Sequence, residues 1–313
     1  MEAFIKILVT GAAGYIGSVL VPALLQKGHH VRALDNLTYT GTSLLPFFRD
    51  YRFEFVRGDV REETTLRDAV KDRDAVIHLA AIVGFPACRK APQVAEEVNW
   101  GASKLLGEIV GRERLVLYGS TGSNYGAVTD QICTEETPLN PLSLYAQTKA
   151  AAEQYLLENC RTVAFRFATG FGLSARMRLD LLVNDFVNTA LKMRYLVVYE
   201  SQFMRSFIHV TDMARAFVFA LDNSERMEGQ IYNVGSEAMN FSKAQVCELI
   251  RKRVDYYLHY ADVGEDPDKR SYEVSYQKIS NLGFRTKVDL ECGIDELVRG
   301  MPLLDFRTPY SNV

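Results

Sequence analysis

Tyr145 and Lys149 stand four residues apart in Tyr145-Ala146-Gln147-Thr148-Lys149, just after the helix-start signals Pro141 and Ser143. On a helix that spacing puts both side chains on one face. An ammonium beside a phenol favours the phenolate, lowering a pKa that starts near ~10. A tyrosine tuned in this way can take the proton from a substrate hydroxyl while hydride leaves the adjacent carbon. Alone, the pair reads equally as an exposed helix pair. The segment Tyr118-Gly119-Ser120-Thr121-Gly122-Ser123-Asn124-Tyr125-Gly126 adds weight, because it follows the apolar run Leu115-Val116-Leu117. It therefore falls at the C-terminal end of a strand. Thr121 is the first candidate to hydrogen-bond the reacting oxygen and Ser120 the second; the competing role for both is turn capping.

A hydride acceptor is suggested by Thr10-Gly11-Ala12-Ala13-Gly14-Tyr15-Ile16-Gly17. The apolar run Ile5-Lys6-Ile7-Leu8-Val9 precedes it and Ser18-Val19-Leu20-Val21-Pro22-Ala23-Leu24-Leu25 follows it. Strand, glycine-punctuated turn and helix together bind a pyrophosphate at the open N–H groups of the helix N-terminus. The spacing is G-x-x-G-x-x-G, an imperfect match to the dinucleotide fingerprint. An ordinary glycine-rich turn is the competing reading. The next apolar strand, His30-Val31-Arg32-Ala33-Leu34, ends in Asp35. A carboxylate there can bind the adenosine ribose hydroxyls and repel a 2′-phosphate, which favours NAD over NADP. No arginine follows Asp35 before Arg49.

The elements that must hold these residues follow from periodicity. Strands are expected at 5–10, 30–35, 52–57, 74–79, 114–120 and 162–168, and helices at 15–27, 62–71, 92–111 and 143–159. That alternation predicts an α/β fold, a doubly wound parallel Rossmann-type sheet with a smaller C-terminal substrate lobe. The NAD-binding domain is expected over 1–169, completed by about 207–235, with the substrate lobe formed by 170–206 and 236–313. In the second half 179–194, 211–223 and 242–253 read as helical, 207–208 and 231–235 as strand, and 254–285 as charged and turn-rich.

Composition excludes several classes. An apolar share of 48% supports a sizeable core, and a net charge of −3 leaves no basic footprint for nucleic acid. No charged leader with an apolar core and no apolar run of 18 or more is present, so a soluble, cytoplasmic chain is expected. The five cysteines and five histidines show neither C-x-x-C nor H-E-x-x-H spacing. Reduced thiols and no metal site are the reading.

Taken together these pieces resemble the extended short-chain dehydrogenase/reductase family, whose members mostly act on nucleotide-linked sugars. The resemblance is carried by the glycine loop, Asp35-Asn36-Leu37, Gly58-Asp59-Val60, His78-Leu79-Ala80-Ala81, Tyr118-Gly119-Ser120-Thr121, Tyr145 with Lys149, and Arg205-Ser206-Phe207-Ile208-His209-Val210. It implies Tyr145, Lys149 and Thr121 as the catalytic set, with Lys149 also holding the nicotinamide ribose. It implies Asp59 and Val60 at the adenine. Gly11, Gly14, Tyr15, Ile16, Gly17, Asp35, Asn36, Leu79, Ala80, Ala81 and Ser120 complete the implied cofactor set. Asn99 resembles the family's structural or water-holding asparagine. Arg205 and Arg270 match the family's arginines for the substrate pyrophosphate, where bidentate pairing suits a guanidinium. Arg176, Arg178 and Asp180 open the stretch 179–194. Arg178 and Asn184 are candidate substrate contacts; for the arginines a solvated surface charge is the competing reading.

Family dehydratases carry Thr-Asp-Glu at the end of the strand that holds Thr121. Here Gly122 and Ser123 follow, so water elimination lacks its acid and base. Oxidation at C4 by a 4-dehydrogenase or a 4-epimerase is favoured, with a 4,6-dehydratase the less favoured reading. The stretches 81–88, 176–186 and 264–270 resemble the GDP-heptose 4-dehydrogenases of bacterial capsule or lipopolysaccharide synthesis. A GDP-linked substrate and a 4-dehydrogenase are therefore the first expectation, and a 4-epimerase the alternative. A non-catalytic NAD-binding protein need not keep Tyr145, Lys149 and Thr121 together. The resemblance also implies a homodimer or dimer of dimers, with helices near 92–111 and 145–159 paired across a two-fold axis.

Overall fold

A computed structural model describes residues 4–128, 132–261 and 273–304. Its strands, in chain order, are β1 (Lys6–Thr10), β2 (His30–Asp35), β3 (Phe53–Arg57), β4 (Ala75–His78), β5 (Leu115–Thr121), β6 (Ile132–Cys133), β7 (Arg161–Phe167), β8 (Thr169–Phe171), β9 (Tyr195–Tyr199), β10 (Met204–His209), β11 (Gln230–Val234), β12 (Asn240–Ser242), β13 (Tyr257–Ala261) and β14 (Glu273–Val274). Seven of them form one sheet in the order β11-β7-β5-β4-β1-β2-β3. Every neighbouring pair is parallel. Strand order reverses between β1 and β4, and that switch point is where ligands bind in a doubly wound sheet.

The apolar runs become central strands because both faces of the sheet are covered. Ile7 and Val9 of β1 join the core that contains Leu20, Leu24 and Phe217. Leu8, between them, points to the opposite core with Leu106, Ala152 and Leu156. A separate hydrophobic core gathers Phe171, Val183, Val187, Phe207, Val246, Ile294 and Leu297. It packs around a three-stranded sheet, β12-β10-β8, and the helices Leu182–Met193, Lys243–Arg251 and Leu290–Gly300.

Three expectations change. The stretch 92–111 is not one regular helix: an α-helix Pro92–Glu96 leads into a π-helical turn Glu97–Gly101 and then an α-helix Ala102–Val110. The strand expected at 207–208 runs over Met204–His209, because Arg205 and Ser206 pair with β12. The charged stretch 254–285 contains β13, which pairs in parallel with β9, and a helix Gln277–Asn281. These short pieces pair with distant partners rather than by local periodicity, so their windows carry little signal.

Candidate active site

The glycine loop lies at the C-terminal end of β1. Gly11 has φ +67°, and a Cβ there would sit 2.7 Å from the backbone N of Ala80. Gly17 opens the helix Gly17–Gln26, where a Cβ would meet the carbonyl oxygens of Ala12 and Gly11 at 2.5 Å. Only hydrogen fits in either place, and the backbone can then close tightly beside a diphosphate.

Asp35 ends β2. Its carboxylate accepts the N–H of Ala13 at 3.0 Å and of Leu37 at 2.8 Å, tying the glycine loop to the adenosine side of the groove. Burial pushes its pKa up, while those two donors pull it back. Asp59 is held by Arg61 and by Asn36 Nδ2 at 3.1 Å, which brings its carboxyl down to about 2.

The catalytic candidates meet on the helix Leu144–Asn159. Ser143 caps it by accepting the Ala146 N–H at 3.2 Å. Tyr145, Lys149 and Glu153 follow each other at four-residue steps along one row. Lys149 is 3% exposed, with its Nζ 4.0 Å from the centre of the Tyr118 ring. Burial pushes its ammonium down to about 7, against the pull of Glu153 and Cys88. Glu153 is itself paired with Arg166 at 2.6 Å, both nearly inaccessible. Arg166 also donates to the hydroxyl of Tyr125 at 3.1 Å, in the turn Gly122–Tyr125 that follows Thr121. One buried ion pair thus joins the Tyr–Lys helix to the turn behind Thr121.

Thr121 performs the capping role and also faces the cavity. Its Oγ1 accepts the Ser123 N–H at 3.1 Å. Asn99 sits in the π-helical turn. Its amide brackets Ile82, accepting from the backbone N at 2.8 Å and donating to the backbone O at 3.0 Å. It also donates to Thr148 Oγ1 at 3.2 Å, so the wide turn fastens the loop after β4 to the catalytic helix. A π turn at this place is the kind of irregularity that functional sites use.

The glycine loop, Asp35, Asn36, Asp59, Thr121, Tyr145 and Lys149 line one cavity of 530 Å³, a size typical of small-molecule sites. The expected cofactor residues Gly11, Gly14, Tyr15, Ile16, Gly17, Asp35, Asn36, Asp59, Val60, Leu79, Ala80, Ala81, Ser120, Tyr145 and Lys149 all face it, as does Thr121. A dinucleotide fits this donor set: a cradle only glycine can form, a ribose carboxylate at one end, and a Tyr–Lys pair at the other.

The substrate candidates divide. Arg178 lines the cavity, ion-paired to Asp180 at 2.5 Å. Asn184 does not line it. Its Oδ1 accepts from Gly172 N at 3.0 Å, and its Nδ2 donates to Arg178 O at 2.9 Å and to Tyr15 OH at 3.4 Å. It is a fully buried brace behind Arg178 rather than a contact surface. Arg205 also lies off the cavity lining, buried on β10, with Nη1 donating to Met204 O at 3.0 Å. Arg270 falls outside the described residues. Sequence reasoning missed Tyr39 and Met213, which line the cavity without belonging to a motif. Arg176, which opens the stretch 179–194, lines the cavity as well. Among the described residues no cluster of His, Cys, Asp or Glu could hold a metal, and no helix is long and apolar enough to cross a membrane.

Known proteins share this arrangement. The chain is 30% identical over 319 residues to a dTDP-glucose 4,6-dehydratase of Actinoplanes sp., covering 94% of this chain and 96% of that one. It is 26% identical to a putative UDP-glucose 4-epimerase of Methanocaldococcus jannaschii, over 94% of this chain and 98% of the relative. The crystal structure of UDP-glucuronic acid 4-epimerase from Bacillus cereus, in complex with UDP-glucuronic acid and NAD, superposes with a TM-score of 0.86. That match is at 26% identity and covers 96% of this chain and 100% of that one. The family profile described as "NAD dependent epimerase/dehydratase family" matches residues 7–235. With its glycine cradle, its ribose carboxylate and its Tyr–Lys helix around one cavity, the chain belongs to this family of NAD-dependent enzymes.

Proposed function

We propose that the protein is a nucleotide-sugar 4-epimerase that oxidises C4 and then reduces it from the other face. One observation carries this reading. Among the described residues, the carboxylates lining the cavity are Asp35 and Asp59, both at the adenosine end. The reacting end offers Tyr145, Lys149, Thr121, Ser120, Ser123 and Arg178. Elimination of water needs an acid and a base beside the sugar. This set has Tyr145 and Lys149 as its proton-transfer groups, no carboxyl group, and hydroxyl donors to orient a substrate. That composition supports redox at a carbinol over dehydration, although relatives of both kinds exist.

NAD, when bound, supplies the two-electron acceptor and donor. Tyr145 removes the proton from the C4 hydroxyl and later returns one to the C4 oxygen. Lys149, in its protonated form, supplies the cation that favours the phenolate. Thr121 Oγ1, fixed by the Ser123 N–H, is positioned to hydrogen-bond the C4 oxygen in both half-reactions. Arg178, ion-paired and buried, contributes a cation at the sugar side.

A second reading is a GDP-heptose 4-dehydrogenase, in which the ketosugar leaves and the reduced cofactor is reoxidised elsewhere. It is favoured by the position of its resembling segments: residues 81–85 and Arg176, Arg178 and Leu181 all face the cavity. Incubation with UDP-, dTDP-, GDP- and CDP-sugars, following product identity and NADH together, separates the two. A stereoisomer without net NADH supports the epimerase. Net NADH or a released ketosugar supports the dehydrogenase. A 4-keto-6-deoxy product refutes both.

A further inference from the structure

No arginine follows Asp35 in the sequence before Arg49, but the fold delivers one. Arg176 lies on the loop between β8 and the helix Leu182–Met193, 141 residues from Asp35 in the sequence. Its guanidinium carbon sits 3.9 Å from the centre of the Tyr39 ring, and its charge acts on the Asp35 carboxylate. It is 2% exposed, yet it lines the cavity together with Tyr39 and Asp35.

The position of its loop shows which part of a ligand it would meet. Ser174, two residues earlier, hydrogen-bonds Ser18 Oγ at 2.7 Å and donates to Tyr15 O at 2.8 Å. The Tyr15 hydroxyl donates in turn to Gly172 O at 2.8 Å. The loop is therefore fastened to the first turn of the helix Gly17–Gln26, where the diphosphate of a dinucleotide sits. Among the described residues, three cations line the cavity: Lys149, Arg176 and Arg178. Lys149 lies over Tyr118 at the reacting end, and Arg178 is paired with Asp180. Arg176 is the one placed between the glycine loop and the end of β2.

We propose that Arg176, held against Tyr39, is the counter-ion for the cofactor diphosphate, reaching it from the opposite side of the cavity to the glycine loop. The glycine loop offers backbone N–H groups and a helix dipole, and Arg176 adds a full charge with a planar fork of donors. The cofactor is then gripped between two parts of the chain that belong to different hydrophobic cores. This assignment does not depend on which sugar is bound or on the fate of the hydride.

The test is binding by the full chain, freed of bound cofactor, without turnover. Wild type binds ADP more tightly than AMP. Arg176→Met weakens NAD+ about 10- to 100-fold, the range for losing a hydrogen bond to a charged group. It also lowers the ADP-to-AMP affinity ratio below the wild-type value. Arg176→Lys, which keeps the charge and loses the fork, falls between the two and guards against a folding defect in the Met variant. Unchanged NAD+ affinity in both variants, or an ADP-to-AMP ratio that stays at the wild-type value, overturns the assignment.

Discussion

Replacing Lys149 by methionine removes the charge proposed to favour the Tyr145 phenolate, and the same change should make the cofactor-free protein more stable. Burial pushes this ammonium from the ordinary lysine value of 10.5 down to about 7. At about 1.36 kcal/mol per pKa unit, holding the charge in the folded protein costs about 5 kcal/mol below pH 7, and about 4 kcal/mol at pH 7. Methionine fills a similar volume with no charge, so the variant should gain about 4 kcal/mol at pH 7. An unfolding entropy of about 2.1 cal/mol/K per residue makes this a rise of about 6 °C in Tm. Between pH 7 and 10.5 the unfolded lysine keeps its proton while the folded one has lost it. Wild-type stability therefore climbs with pH in that window, and the gap to the variant closes. Calorimetry or denaturant melts of both proteins from pH 6 to 9.5 give the comparison. Turnover of the variant should fall about 100-fold or more, the scale of a lost acid–base contribution. A variant that melts at or below wild type at pH 7, or a gap that does not change with pH, would refute the reasoning.

Four further outcomes are expected. Tyr145→Phe should abolish C4 oxidation by about 10²- to 10⁴-fold while binding NAD normally; full turnover would remove Tyr145 from the acid–base role. Wild type should bind NAD more tightly than NADP. Asp35→Ala should narrow that preference and, by leaving the Ala13 and Leu37 N–H groups unpaired, cost about 1–3 kcal/mol; fluorescence titration and melting measure both. Glu153→Leu strands the Arg166 guanidinium and should cost about 3–5 kcal/mol. The double change Glu153→Leu with Arg166→Met should recover part of it, and additive losses in denaturant midpoints would argue against coupling. The helix Pro92–Glu96 exposes Val94, and the edge-to-face pair Trp100–Tyr155, ring centres 5.6 Å apart, is half-buried between the 92–110 segment and the helix Leu144–Asn159. A dimer mass by light scattering is expected, with Trp100→Glu shifting it to monomer; a monomeric wild type contradicts the pairing.

The main sheet was legible because buried parallel strands are short apolar runs separated by helices of period 3.6. Thus 5–10, 30–35 and 114–120 anticipated β1, β2 and β5 within a residue or two. The cofactor side was legible for a related reason. Gly11, Gly17 and Asp35 act through local backbone geometry and strand ends, which leave fixed spacings in the chain. The substrate side was not. Asn184 and Arg205 carry suitable side chains but lie behind the wall or off it, and nothing in their spacing tells a brace from a contact. The break at Glu97–Gly101 was hidden because one inserted residue shifts the apolar phase only once, within a single turn that helical residues flank on both sides.

By itself, the sequence determined the sheet, the cradle for a dinucleotide, and the pairing of Tyr145 with Lys149, since each depends on residues near one another in the chain. The tertiary structure alone decided that Glu153 and Arg166 meet in the core, that Lys149 loses its hydration there, and that Arg176 crosses to Tyr39 and Asp35. Desolvation and long-range charge contacts arise only when distant segments pack. They set how strongly this site holds its proton and its ligand.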